Sequence, residues 1–466
     1  MNTGTEYYLD CKWISVSRRC GKIEPRTEPR LFINEISASR YSSSYFIVPN
    51  LYSSQICGIG LSDSTFTMST YSVFGILQTP VLYLCAVLLI FTGFYTPGNY
   101  RDYLLLPIWL LLAGSFNSIN YLAFVPGLSY QFGMFIIITF LWTPLLFRAR
   151  KNPITVEIKH NRIVNWNLKI AYETYNNPRM LAKGPTPKVA GRAPLTKREL
   201  VSFALHRLFR PATIFAFKTC LTLAVAPFLA KSSLQSFAPS REHIVRRLID
   251  GTVSTNDLFL RMYLSTIWIV ESVSQLEISH ALAAVLFVSI LEVDRPEEWP
   301  PLFGNPLDAY TLGRFWSKFW HQLFSPIALV WGHFLADVSF PCRTPLWVKK
   351  MFPPFFVFTV SGLAHAAIGW KMKEAALERD VYFFWANFLA VAFEVALSRI
   401  WQRVVQPYLQ RHLGIKLTNT GLWVQIGGYL WVALFFFWVT PRLIYPKIFR
   451  EMIAKMPLLA WLMPVE

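Results

Sequence analysis

The chain is short of charged residues. They make up 15% of its 466 residues, against 53% hydrophobic and 16% aromatic residues. Soluble domains carry about a quarter charged residues, so this chain lacks the polar side chains that would cover a water-facing surface. Its mean hydropathy of +0.35 agrees. The composition therefore argues against a soluble globular protein and predicts an integral membrane protein.

Paired cysteines, an early apolar segment and a balance of charge are also missing. The six cysteines include no C-x-x-C pair, so they predict no zinc knuckle. No apolar run precedes residue 73, so we expect no cleavable signal peptide. The 45 basic residues outnumber the 27 acidic ones, and many lie between apolar runs, as in the cytosolic loops of membrane proteins. We therefore interpret the net charge of +18 as a topological signal and expect no nucleic-acid partner.

Long apolar runs predict an all-α, polytopic transmembrane bundle of about 8–10 spans. Residues 1–70 are Ser-rich and lack periodicity, which predicts a poorly ordered N-terminal arm. Residues 71–466 are expected to form one membrane-embedded domain, with a basic cytosolic loop over 148–210. The candidate spans are Val73–Tyr95, Leu104–Phe124, Leu128–Phe147, Ala212–Ala230, Leu258–Leu291, Leu323–Phe340, Phe352–Trp370, Val381–Trp401 and Leu422–Tyr445.

Two of these regions need further interpretation. Lys197–Arg210 has apolar residues on one helical face, which suits a helix lying in the membrane interface. Leu258–Leu291 is too long for one span, so we expect it to break into two helices near Ser272–Gln275.

Residues 294–322 combine a Pro/Trp-rich loop with a short amphipathic pattern. Thr311 is a plausible N-cap for a helix that follows. Helical spacing gives this helix an aromatic face, made of Leu312, Phe315, Trp316, Phe319, Trp320 and Leu323. Its opposite face carries Arg314, Ser317, Lys318 and His321. The polar stripe is a candidate binding surface, and the alternative is an interfacial helix with snorkelling cations.

Residues 352–370 form an apolar run that contains His365. Its helical neighbours include the small residues Ser361, Gly362 and Gly369, so we expect the imidazole to face a gap or a closely packed helix. An ionisable residue inside a span is costly, which makes it a functional candidate. The alternative is a neutral imidazole that bonds to a neighbouring helix.

The spans hold other ionisable residues. His333 and Asp337 stand four apart and could pair on one helix face, and Glu394 lies in a later span. These residues could form a proton relay in a transporter, or hydrogen-bonded pairs with a structural role.

The segments RPEEWPPLFGNP, TLGRFWSKFWHQ and SGLAHA occur in this order, and together they resemble the wax-synthase-like branch of the membrane-bound O-acyltransferases. This resemblance implies a helical bundle around an internal tunnel, which acyl-CoA enters from the cytosol. It implies an endoplasmic reticulum enzyme that acylates a hydroxyl of a lipophilic small molecule such as a terpenoid-type secondary metabolite. Within this resemblance, acetyl-CoA is the favoured co-substrate, and no bound cofactor or metal is required.

The resemblance also suggests roles for individual residues. A sheltered imidazole suits general-base catalysis, so we expect His365 to remove the hydroxyl proton and His321 to orient a substrate or stabilise the oxyanion. Weaker candidates for substrate or CoA binding are Arg314, Lys318, Trp316, Trp320, Asn305 and Ser361.

Other functions stay open at this point. A long-chain wax-ester synthase would use the same residues on a longer acyl donor. A proton-coupled secondary transporter would use the buried ionisable residues as a relay, although we find no internal repeat. A non-catalytic membrane scaffold is the third possibility. The acceptor alcohol and the oligomeric state do not follow from the sequence.

Overall fold

The computed structural model of the protein describes residues 73–125, 127–149, 195–229, 234–413 and 421–454, with short stretches between 152 and 179 and residue 232. The expected arm over residues 1–70 lies outside this part of the chain. The α-helices are α1 (Val73–Tyr95), α2 (Gly98–Arg101), α3 (Leu105–Asn117), α4 (Leu128–Ala149), α5 (Leu168–Tyr175), α6 (Lys197–Leu229), α7 (Ile244–Ile249), α8 (Thr255–Ala284), α9 (Leu312–Arg314), α10 (Ser325–Ser339), α11 (Leu346–Lys371), α12 (Glu378–Ile400), α13 (Gln406–Leu413) and α14 (Leu422–Ala454). Two strands, β1 (Glu157–Lys159) and β2 (Arg162–Asn165), pair antiparallel.

The predicted helical membrane bundle is confirmed. Seven helices of the described chain are long and apolar enough to cross a membrane. They are α1, α4, α6, α8, α11, α12 and α14 with their helical extensions. A shorter apolar segment combines α3 with the 3-10 turns Asp102–Leu104 and Ile119–Phe124. It packs along α1, where Ser115 Oγ donates to the Thr79 carbonyl (2.8 Å).

Two breaks predicted from the sequence are wrong. The expected interfacial helix Lys197–Arg210 and the apolar run Ala212–Ala230 form one continuous helix, α6. The expected break at Ser272–Gln275 does not occur either, because α8 is continuous. The buried charge there is neutralised from the side, since Lys218 on α6 forms an ion pair with Glu271 on α8 at 3.0 Å. A partner from the neighbouring helix removes the need for a kink that would expose the carboxylate to water.

Contacts at the helix ends order the spans across the membrane. Ser129 Oγ at the start of α4 donates to the Ile119 carbonyl just after α3 (2.7 Å). Lys371 Nζ at the end of α11 donates to Asn117 Oδ1 at the end of α3 (2.8 Å). α4 begins beside these contacts and ends at Ala149, where the basic loop begins. We call that side of the bundle the basic end, which the charge rule assigns to the cytosol, and the other side the far end. The C-terminus of α11 therefore lies at the far end.

The chain between α8 and α11 enters the bundle without crossing it. α10 has 15 residues, which cover about 22 Å, less than the hydrocarbon thickness of about 30 Å. It ends at the basic end, where Phe340 packs against Phe352 near the start of α11 (ring centroids 5.1 Å apart). α10 is therefore shorter than the predicted span Leu323–Phe340, and we interpret residues 294–340 as a re-entrant segment. Irregular backbone is stable at this depth because protein surrounds it.

Two apolar clusters hold the bundle together. One joins α8, the re-entrant segment, α12 and α14. The other joins α1, α3 and α4 with Ile327 of α10 and Ile368 of α11. Phe384 packs on the first cluster and Tyr130 on the second, and both rings contact His365. The predicted histidine site thus lies where the two clusters meet.

Candidate active site

Thr311 begins the short helix that precedes His321. Its side chain accepts a hydrogen bond from the Arg314 backbone N–H (3.1 Å), which confirms the predicted N-cap. The helix is shorter than predicted, because Leu312–Arg314 is followed by a π-turn over Phe315–Phe319, after which the backbone is extended. The interpretation that the two cations and His321 share one helical stripe is therefore wrong.

Hydrogen bonds from Gly304 and Gln322 end this helix. Gly304 N donates to the Phe319 carbonyl (2.9 Å), and the side-chain amide of Gln322 donates to the Trp316 carbonyl (2.9 Å). These bonds use carbonyls that a longer helix would have bonded internally. Glycine is required at position 304, because a Cβ there would lie 2.1 Å from the Lys318 carbonyl oxygen. The tight loop therefore directs the next residues into the bundle.

His321 lies in a pocket of aromatic rings. Phe303 contacts it edge-on (centroids 5.6 Å apart, planes at 86°), and Trp320 lies 5.5 Å away. Burial, with smaller contributions from nearby His365 and Arg179, lowers the pKa of His321 to about 3. His321 is therefore neutral near pH 7. Its Nδ1 is buried with no hydrogen-bond partner among the described residues. An unpaired acceptor is tolerated better than an unpaired N–H, so we assign the proton to Nε2.

His365 lies on α11 between rings of two other helices. Phe384 of α12 is nearly parallel to it (5.2 Å, 23°), and Tyr130 of α4 lies 6.5 Å away. Within the described residues, neither of its ring nitrogens has a protein hydrogen-bond partner, and neither is fully buried. Both nitrogens are therefore available to a ligand. The alternative of an imidazole bonded to a neighbouring helix is not what the described contacts show.

The small residues around His365 pack closely against other helices, as predicted. A Cβ on Gly362 would lie 2.9 Å from the Val381 Cα on α12. A Cβ on Gly369 would lie 3.3 Å from the Tyr130 hydroxyl on α4. These close approaches fix α11, and with it the imidazole, against both neighbours.

The structure brings the two predicted histidines together. His365 is near enough to act electrostatically on His321, although the two lie on separate elements of the fold.

Trp320 forms part of the wall around His321, while Trp316 donates its indole N–H to Asn387 Oδ1 (3.0 Å). Their predicted substrate contacts stay a prediction.

Two other predicted binding residues, Arg314 and Asn305, have hydrogen-bond partners within a few positions of the chain. Arg314 donates to the Asp308 side chain and carbonyl (2.8 Å each) and lies 4.4 Å from the centre of the Tyr310 ring. Asn305 Oδ1 accepts from the Leu307 N–H (3.0 Å) and the residue is exposed. These contacts favour the structural alternative for Arg314.

Two predicted binding residues form no side-chain hydrogen bond or ion pair within the described part of the chain. Lys318 and Ser361 are half-buried, and their roles stay predictions.

Two polar residues of α12 hold the segment that carries His321. Asn387 bonds to the Trp316 indole, as described above. The Glu394 carboxylate accepts from the Leu312 N–H (2.6 Å), the Gly313 N–H (2.8 Å) and the Trp431 indole (2.7 Å). Structural hydrogen bonding, and not a proton relay, accounts for Glu394. Sequence reasoning missed Asn387, although its spacing of seven from Glu394 places both on one helix face.

A second missed group is a cluster of cations between α6 and α8. Arg210 donates to the Phe303 carbonyl (3.3 Å) and pairs with Glu277 (3.2 Å). Arg207 bonds to the ring nitrogen Nδ1 of His280. Positive charge thus exceeds negative charge beside Phe303, whose ring contacts the site. Only the folded chain reveals this group, because the sequence alone assigned both arginines to an interfacial helix.

The predicted pairing of His333 with Asp337 is not formed. Both side chains are exposed on α10, and the described contacts include no hydrogen bond or ion pair between them. They therefore add no support for a buried relay.

Comparison with known proteins finds a family match over the segment that contains both histidines. Residues 299–386, which include both histidines, match the membrane bound O-acyl transferase family. Acetyltransferase atnC of Arthrinium sp is 29% identical over 219 residues, which cover 46% of each chain. Acetyltransferase spyB of Aspergillus fumigatus is 29% identical over 188 residues, 38% of this chain and 31% of the relative. Acetyltransferase sirH of Emericella nidulans is 30% identical over 195 residues, 41% of this chain and 42% of the relative.

These matches span 31% to 46% of the relatives' own lengths, so the chain covers less than half of each relative. No solved structure matches the chain.

Proposed function

Because the chain is related to the membrane bound O-acyl transferase family through the segment that holds both histidines, we propose that it is an acyl-CoA-dependent O-acyltransferase. It transfers an acyl group, acetyl by analogy with the names of its relatives, to a hydroxyl of a lipophilic small molecule such as a terpenoid-type secondary metabolite. The enzyme works in the endoplasmic reticulum membrane. The observation that carries the proposal is the pair of enclosed histidines, one of which has both ring nitrogens unpaired.

Acyl transfer to an alcohol needs a base for the hydroxyl proton, and His365 is suited to that role. One ring nitrogen takes the proton while the hydroxyl oxygen attacks the thioester carbonyl. The tetrahedral intermediate then collapses, the carbon–sulfur bond breaks, and the CoA sulfur leaves with the proton that His365 returns. A positioned base of this kind contributes on the order of 10²–10⁴-fold.

His321 acts beside this reaction as a neutral hydrogen-bond donor. With the proton on Nε2, its N–H is available to the substrate or to the developing oxyanion. Its lowered pKa of about 3 keeps it from becoming a competing cation near pH 7. An asparagine side chain also offers an N–H donor, so His321→Asn is expected to retain more activity than His321→Ala.

The anionic CoA donor needs cations close to the site. Arg314 is neutralised by Asp308 at 2.8 Å, so we assign the attraction of the phosphates to Arg207 and Arg210. Glu277 lies beside these two guanidiniums and pairs with Arg210, so two positive charges face one negative charge. The surplus positive charge would draw an anion toward the re-entrant segment.

The test uses membranes from cells that express the full chain, incubated with radiolabelled acetyl-CoA and a panel of lipophilic alcohols. Ester formation by the wild type is expected, with a loss on the order of 10²-fold or more in His365→Ala. His333→Ala is the matched control, because that histidine is exposed on α10. Near-normal transfer by His365→Ala at equal expression would contradict the assignment of the base.

A further inference from the structure

One face of α12 contacts both segments that carry the proposed catalytic histidines. Phe384, Asn387 and Glu394 follow at steps of three and seven residues, so they share this face. Phe384 stacks on His365 with ring centroids 5.2 Å apart. The two polar residues instead bind the segment that leads to His321.

Asn387 is a buried residue whose amide oxygen and amide nitrogen are both hydrogen-bonded. It is 0% exposed, its Oδ1 accepts from the Trp316 indole (3.0 Å), and its Nδ2 donates to the Phe383 carbonyl (2.9 Å). Because the indole only donates and the carbonyl only accepts, the orientation of the amide is determined. Trp316 also packs on Phe384 (centroids 6.3 Å apart). One side chain therefore ties the π-turn to the ring that stacks on His365.

Glu394 binds the beginning of the same segment, two helical turns further along α12. Both carboxylate oxygens accept backbone N–H groups, from Leu312 at 2.6 Å and Gly313 at 2.8 Å. The Trp431 indole supplies a third N–H at 2.7 Å. No cation pairs with this carboxylate among the described residues. Its partners are all N–H donors, which a glutamine amide could satisfy only in part.

We propose that Asn387 and Glu394 are positioning residues that set the separation of His321 from His365. They hold Trp316 and the start of α9 to the same helix whose Phe384 stacks on His365. The proposal rests on the acyl-transfer function above, because the separation matters only if both imidazoles act on one substrate. A displacement of about 1 Å in such a site lowers a rate by on the order of 10²-fold.

The kinetic test compares Glu394→Gln with Glu378→Gln, a control on the first turn of the same helix whose side chain is 54% exposed. Glu394→Gln is expected to lower kcat by on the order of 10- to 100-fold, with KM for both substrates within about twofold of wild type. The control is expected to match wild type. A kcat of Glu394→Gln equal to that of the control would overturn the role of Glu394.

A double-mutant cycle tests Asn387. Trp316→Phe and Asn387→Leu each remove one partner of the same hydrogen bond, so the double variant is expected to be no slower than the slower single variant. Trp385→Phe is the control, since it removes an indole bond to Thr359 (3.0 Å) elsewhere on α12. Additive losses in kcat would show that Asn387 does not act through Trp316.

A cross-linking measurement reads the position of the segment without requiring activity. A Cβ on Gly313 would lie 3.9 Å from Val391 Cγ1, so Gly313→Cys/Val391→Cys should be joined by a short thiol cross-linker. Mass spectrometry of the joined peptides gives the yield. A several-fold lower yield in the Glu394→Gln background supports the positioning role, and an unchanged yield contradicts it.

The kinetic and cross-linking measurements distinguish a failure of this inference from a failure of the proposed function. Absence of transfer by the wild type with every donor and alcohol would refute the enzyme, while the cross-link would still decide whether Glu394 holds the segment.

Discussion

Two adjacent glycines of α14 allow a sensitive test of how the re-entrant segment is held. A Cβ added at Gly428 would lie 2.0 Å from the Tyr310 carbonyl oxygen, whereas a Cβ at Gly427 would meet nothing within 4 Å. Tyr310 directly precedes the N-cap of α9. The backbone of the segment and α14 therefore touch at position 428 and not at position 427.

The magnitude follows from a comparison of the two alanine variants. Replacing glycine by alanine inside a helix stabilises it by about 0.5–1 kcal/mol, and this gain is common to both positions. The difference between the variants is therefore the cost of overpacking, about 1–3 kcal/mol. The atom that an added Cβ at position 428 would meet is the Tyr310 backbone carbonyl oxygen. Removing this clash therefore requires a shift of the re-entrant segment itself.

The assay is the unfolding of each variant in detergent, followed as the apparent Tm and as the denaturing-detergent concentration at the midpoint. Gly427→Ala is expected to equal or exceed wild type, and Gly428→Ala to fall clearly below it. Gly428→Ala is also expected to lose acyl transfer, because the shift displaces the residues that precede His321. Equal stability of the two variants would refute the close approach of α14 to Tyr310.

Three further outcomes follow from the structure. Because the pKa of His321 falls from 6.5 to about 3 on folding, the unfolded chain binds more protons between these values. Stability should therefore decline as pH falls through this window, and the decline in Tm from about pH 7 to about pH 4.5 should be smaller in His321→Asn. Lys218→Met leaves Glu271 unpaired and is expected to cost about 3–5 kcal/mol, much of which Lys218→Met/Glu271→Gln should restore in the same unfolding assay. Arg207→Ala is expected to raise KM for acyl-CoA several-fold, whereas Arg314→Ala should change it by less than about twofold.

Much of the fold can be predicted from local composition. Runs such as Val73–Tyr95 have the length and hydropathy of a span, and the structure returns that helix with the same bounds. Thr311 was identifiable as an N-cap because a cap depends on residues three positions apart. His365 stood out because an ionisable group in an apolar run is rare.

The site itself needed contacts that sequence patterns do not contain. Helical spacing predicted that the helix continues to Leu323, but Gly304 and Gln322 take up its carbonyls and end it earlier. The same spacing placed Arg314 on a candidate binding face, although Asp308 neutralises it. In each case a competing hydrogen-bond partner overrides the periodic pattern.

The amino-acid sequence by itself determined that this protein resides in a membrane, roughly where most of its spans lie, and that His365 lies inside one of them. These properties depend on the transfer of side chains out of water and on neighbours within a helical turn. Tertiary structure decided that α8 continues past Glu271, that residues 294–340 turn back within the bundle, and that His321 comes close to His365. Each of these outcomes depends on partners far apart in the chain, such as Lys218 for Glu271, and their positions follow only from packing.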